Sequence, residues 1–127
     1  MTGIVLDTGA LIALERNDRT LWAVLKLAAL RTRDVLVPST ALAQVWRGRA
    51  SQARLSAALG YCVIASFDPV ARDVGELCGR ARTNDMCDAH VALVAVTQGD
   101  VLYTSDPADM RRLITTIGAR RLPIVQC

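Results

Sequence analysis

Aromatic residues are scarce, with two Trp, two Tyr and one Phe making up 4% of a chain that is 52% hydrophobic. The core must therefore be aliphatic, built from Leu, Val, Ile and Ala. Without stretches rich in aromatics, Trp22 and Trp46 read as core or interface residues and not as base-stacking platforms. Histidine occurs once, at His90, which leaves no plausible Ser-His-Asp set. The four cysteines, Cys62, Cys78, Cys87 and Cys127, form no CxxC pair and have no histidine at zinc spacing, so reduced, buried thiols are expected. There is no G-x-G-x-x-G after the first apolar run and no G-x-x-x-x-G-K-[ST], which weakens dinucleotide and P-loop readings. No apolar run approaches the roughly 18 residues of a membrane span, and Met1-Thr2-Gly3 puts no basic region before an apolar stretch. The expectation is a soluble, cytoplasmic protein with no membrane partner.

Lysine is nearly absent too: 14 of the 15 basic residues are Arg, and Lys26 is the exception. Against 12 acids this is a mild positive balance, but Arg is the better fork for phosphate, so a nucleic-acid partner is permitted. Arg47, Arg49 and Arg54, with Arg111 and Arg112, are candidates to line an RNA path by neutralising phosphates. A solvated charged face explains them equally well.

The 127 residues suffice for one domain, 1–127, with no linker, repeat or low-complexity stretch. Apolar runs at Ile4-Val5-Leu6, Val35-Leu36-Val37, Cys62-Val63-Ile64-Ala65, residues 101–104 and Ile124-Val125-Gln126 predict five strands. The last reads as an edge. The continuous run at 62–65 suits a strand covered on both faces. Helical periodicity lies between the runs. Thr8 is expected to cap a helix through Leu14, a second spans about 20–30, and Ser39 or Thr40 caps a third over 41–47. Further helices are expected at about 52–59, from Pro69 to about 81, and at 107–117. The segment 86–97 is apolar all round, which predicts a buried central helix. Strands alternating with helices give an α/β class with a mainly parallel sheet.

Acids mark the joints of this pattern. Asp7 ends the first strand, Asp85 and Asp88 share a face at the positive end of the central helix, and Asp106 and Asp109 follow the strand at 101–104. In an open parallel sheet ligands bind at that carboxyl edge. Carboxylates converging there raise one another's pKa unless a divalent cation compensates them, and Mg²⁺ or Mn²⁺ fits an oxygen-only set best. Asp7-Thr8-Gly9 also suggests an aspartyl-nucleophile phosphatase, but such enzymes carry a second acid where Gly9 stands. They and the receiver domains also use a late lysine, whereas Lys26 is early.

Ile4-Val5-Leu6-Asp7-Thr8-Gly9-Ala10-Leu11-Ile12-Ala13-Leu14, Asp88-Ala89-His90-Val91-Ala92 and Thr104-Ser105-Asp106-Pro107-Ala108-Asp109 together resemble the PIN-domain ribonucleases, specifically the VapC-type toxins of bacterial toxin–antitoxin pairs. The resemblance spans essentially the whole chain in order and spacing. It implies a three-layer fold, four to five strands with helices on both faces. It further implies a Mg²⁺- or Mn²⁺-dependent endoribonuclease that is a homodimer neutralised by a cognate antitoxin. On it Asp7, Asp88 and Asp106 are the catalytic, metal-holding acids. The family's remaining acid, a Glu after the second strand, is Gln44 here, which can lend a carbonyl oxygen to a metal or its water but no charge. Gln44, Asp85, Asp109 and Thr8 are placed one layer back from the ion. Asp106 can be ligand and helix cap at once, Asp109 reads as the more structural of the pair, and Asp85 is either an N-cap or an outer ligand. His90 lies about 200° round its helix from Asp88 and points away from the acids. Two alternatives stay open. One is a PIN-fold RNA- or protein-binding module weakened in catalysis by Gln44, and the other is a metal-dependent phosphatase of another α/β fold.

Overall fold

The computed structural model describes residues 3–119 and 121–127. Gly3–Leu6 forms β1, buried along its whole length, and it becomes the centre of the sheet because no residue in it could face water cheaply. Helices α1 (Thr8–Glu15) and α2 (Arg19–Leu30) follow, and then β2 (Asp34–Pro38) lies parallel to β1 with Ile4 opposite Val35. Helix α3 (Ser39–Val45), a 3₁₀ turn at Ala50–Gln52 and α4 (Ala53–Leu59) lead to β3 (Val63–Ala65). A second 3₁₀ turn, Asp68–Val70, opens α5 (Ala71–Ala81), and α6 (Met86–Gln98) leads into β4 (Val101–Thr104). Helix α7 (Pro107–Ile117) and β5 (Ile124–Gln126) complete the described elements.

All five strands are parallel, in the order β3-β2-β1-β4-β5. The chain thus steps outward from β1 through β2 to β3, then returns to the other side of β1. Crossovers between parallel strands are right-handed as a rule, so a sheet that reverses at β1 has the helices of its two halves on opposite faces, consistent with three layers. Helix α1 packs on α2, α3 and α4, while α5, α6 and α7 pack on one another and α6 lies across β1. The aliphatic core predicted from composition is present. Leu6, Leu11, Leu14, Leu25, Leu55, Leu102 and Leu113 are fully buried, each side chain contributing about 1.5–3 kcal/mol on leaving water. Among the described residues no helix is long and apolar enough to cross a membrane, and the four cysteines are free.

The helical stripes follow the periodicity. Leu21, Leu25 and Ala28 are buried on α2, and Val74, Leu77 and Ala81 on α5, with Arg72, Glu76 and Arg80 exposed. The central helix α6 buries Cys87, Ala89, His90, Val91, Ala92, Val94 and Ala95, as an all-round apolar helix must.

Three expectations are corrected. Strand β3 is not covered on both faces: it is a sheet edge, with Val63 51% and Ile64 43% exposed. Asp7, and not Thr8, caps α1, its carboxylate accepting the Ala10 N–H at 2.9 Å. Neither Ser39 nor Thr40 caps α3, which starts on Pro38 and stops at Val45, short of Arg47. Their hydroxyls are engaged elsewhere, Ser39 accepting the Phe67 N–H at 3.0 Å and Thr40 bonding His90 Nδ1 at 2.8 Å.

Candidate functional site

The sheet order reverses at β1, so the helix starts that follow its strands crowd the carboxyl ends of β1 and β4. Asp7 is the first residue beyond β1. Its N–H extends the ladder to the Tyr103 carbonyl at 3.1 Å, and its side chain is buried, 5% exposed. One carboxylate oxygen caps α1 and the other accepts the Thr104 hydroxyl of β4. Burial pushes the Asp7 carboxyl above its usual range, while Thr104 and the backbone N–H groups of Ala10, Ser105 and Gly9 pull the other way. The same Thr104 oxygen accepts the Asp106 N–H at 2.9 Å, so a single buried hydroxyl ties the first acid to the loop carrying the last two.

That loop also depends on Gly9. A Cβ there would stand 2.1 Å from Ser105 Oγ and 2.4 Å from its Cβ, so only glycine lets the first turn of α1 sit against residue 105.

On the facing side, Asp85 caps α6 by accepting the Asp88 N–H at 2.9 Å. Asp88 is half-buried, and its carboxyl is pushed up to about 7. Burial is the largest cause. The Asp85 charge and a side-chain hydrogen bond with Asp85 come next, followed by the charges of Asp7 and Asp109. Four acids named from the sequence therefore share one electrostatic field, as expected of converging carboxylates. No salt bridge reaches Asp7 or Asp88 among the described residues.

Asp106 is exposed and caps α7, accepting the Asp109 N–H at 3.3 Å. It is Asp109, which the sequence suggested was the more structural of the two, whose charge acts on Asp88. Among the described residues no three His, Cys, Asp or Glu side chains are gathered closely enough to enclose a metal ion. The donor set is open and all-carboxylate, the kind that suits an ion keeping several of its waters.

Gln44 comes to this place as well. Its Oε1 accepts the Thr8 hydroxyl at 2.9 Å, and Thr8 Oγ1 lies 3.6 Å from Cys87 Sγ. These contacts join α3, α1 and α6 beside Asp7 and Asp88. His90 points away from the acids, as the helical spacing requires. It is fully buried, edge-on to Phe67 at 5.3 Å between ring centroids, and burial lowers its pKa.

The arginines divide. Arg47, Arg49 and Arg54 are exposed, and Arg47 Nη1 bonds the carbonyls of Ala43 (3.2 Å) and Trp46 (2.7 Å). Arg111 donates to the Leu122 carbonyl at 2.9 Å and Arg112 to that of Ala81 at 2.7 Å, so both serve as local ties. Trp22 packs edge-on to Tyr61 and donates to the Leu14 carbonyl, whereas Trp46 is 40% exposed.

Sequence reasoning missed Thr104, Cys87, Thr40 and Gln52. Thr104 carried a faint signal: it is the polar last residue of a strand whose inward-facing neighbour two positions back is Leu102. Comparison with known protein families, with curated proteins and with solved structures finds no match.

Proposed function

We propose that this chain is a divalent-metal-dependent endoribonuclease of the PIN-domain type and acts as the toxin of a toxin–antitoxin pair. The observation that carries the reading is a buried carboxylate, Asp7, at the reversal point of a parallel sheet. It is drawn together with Asp88 at a helix start, and no salt bridge compensates either among the described residues. A buried acid with hydrogen bonds but no opposite charge to balance it costs stability, and a site that keeps one has a use for it.

Asp7 and Asp88 would hold Mg²⁺ or Mn²⁺, with Asp85 and Asp109 adding negative potential. Asp106, exposed and tied through Thr104 to Asp7, would join the set from the solvent side. The chemistry such an ion supplies is a lowered pKa for water and screening of phosphate charge. The protein contributes the rest. Thr104 and the Ala10 N–H fix the Asp7 carboxylate, and Asp88, its carboxyl pushed up to about 7, would hold the ion in its deprotonated form. His90, buried and turned away, takes no part in proton transfer. The exposed Arg47, Arg49 and Arg54 offer charge to an RNA backbone.

A protein partner is supported separately. Ser39, Leu42, Ala43, Trp46 and Leu59 line an apolar groove of about 320 Å³, a surface of the kind an antitoxin segment could cover. The homodimer belongs to the same proposal and rests on the family resemblance.

The test is digestion of total RNA with and without Mg²⁺, by the wild type, Asp7→Asn and Asp88→Asn. Internal cuts that need metal and fall at least about a hundredfold in both variants support the reading. Cutting by either variant at the wild-type rate would refute the assignment. RNA bound but not cut would favour the weakened binding module. Release of terminal phosphate alone would favour the phosphatase.

A further inference from the structure

Gln44 occupies the position where the family resemblance places a charged metal ligand, and its one side-chain contact among the described residues engages the carbonyl end of the amide. A threonine hydroxyl has one proton to donate and lone pairs with which to accept. The Thr8 proton goes to Gln44 Oε1 at 2.9 Å, and the hydroxyl's accepting side faces Cys87 Sγ at 3.6 Å, where a thiol can donate. The contacts run from Cys87 on α6 through Thr8 on α1 to Gln44 on α3, where the carbonyl end of the amide is the one engaged. The Nε2 end has no hydrogen-bond partner among the described residues, and Gln44 is exposed. The amide is anchored beside the residue after Asp7 and the residue before Asp88.

We infer that Gln44 is a substrate-binding residue whose side-chain N–H donates to a non-bridging phosphate oxygen of single-stranded RNA, in place of a fourth metal-directed charge. This rests on the endoribonuclease reading. Gln side chains are ordinary donors to phosphate oxygens, and a donor is favoured where the field of four acids would otherwise repel an anionic backbone. Glutamate at the same position would keep the acceptor that Thr8 uses but would turn oxygen and charge toward the phosphate. Thr8 is then a positioning residue, and it acts by holding the amide beside Asp7 and Asp88.

The experiment measures kcat and KM with saturating Mg²⁺ on a synthetic single-stranded oligonucleotide spanning the first cut mapped in a digest of total RNA. Mg²⁺ affinity is measured by calorimetry without RNA. Gln44→Glu should raise KM at least about tenfold while its Mg²⁺ affinity equals or exceeds the wild type's. Thr8→Val should raise KM several-fold, and Thr8→Ser, which keeps the hydroxyl, should restore it. A folded Gln44→Glu protein with unchanged or lower KM overturns this inference alone. Loss of activity in Thr8→Ser equal to that in Thr8→Val overturns the positioning role. A wild-type protein that cuts no RNA overturns the ribonuclease reading and this inference with it.

Discussion

At the scale of single residues, the site depends on contacts that leave no tolerance. Gly9 is the sharpest case, since a helix interior prefers Ala over Gly by about 1 kcal/mol, yet the added Cβ would overlap both Ser105 side-chain atoms. The overlap should win, and Gly9→Ala should lose about 1–3 kcal/mol in urea denaturation. Ser105→Gly added to it should recover much of that loss, because the overlapping atoms are gone, and a strictly additive double mutant would contradict the contact. Asp88 supports a second prediction. With its carboxyl pushed up to about 7, a proton competes with any cation there, so calorimetry should find Mg²⁺ binding tightening from pH 6 to pH 8 and flat above. Asp7 and Asp88 were legible in the sequence because an acid ending an apolar strand, or opening an apolar helix, has few purely structural reasons to be there. Thr104 was not, because a hydroxyl's partner is chosen by a strand pairing that joins residues 97 apart.

At the scale of elements, periodicity carried most of the information, and boundaries were lost where side chains left the local chain for a distant partner. The stripes on α2 and α5 could be read directly, since each is set by packing against one side. Strand β3 could not, because an apolar run records what a segment could bury and not whether a neighbouring strand exists beyond it. The segment between α3 and α4 was equally opaque. It is held by Gln52, 5% exposed, whose amide donates to the Val45 carbonyl at 2.8 Å and Glu15 at 3.0 Å and accepts the Arg47 N–H at 2.8 Å. Gln52→Ala would leave a buried carbonyl and an N–H unpaired, at a cost of about 1–3 kcal/mol. Hydrogen exchange should show the Arg47 N–H losing protection before α3 itself does. Unchanged exchange there would mean that the loop is held by something else.

At the scale of the whole molecule, the acid field makes folding and pH oppose each other. Asp7 and Asp88 both have carboxyls raised above their unfolded values, so each holds its proton longer in the folded state and together they lower stability as pH rises from about 4 toward 7, outweighing the single buried His90, whose lowered pKa acts the other way. In metal-free buffer the melting temperature should therefore drop between pH 5 and pH 7. Asp88→Asn should flatten the decline, and millimolar Mg²⁺ should reverse it at pH 7.5 by binding only the folded form. A melting temperature that climbs over that interval without metal would contradict the reading of both carboxyls. The strand order has a further consequence, for synthesis. The first strand made is the middle of the sheet, and one of its flanking partners is β4. A ribosome emits residues at roughly 5–20 per second, so Asp7 waits several seconds before Thr104 exists to hold it. Until then β1 has a neighbour on one side only, and the acids at its end have no common cleft. A chain released early is a half-sheet without a site, and on the proposed ribonuclease reading this delay would keep the nascent polypeptide harmless to the message still being read.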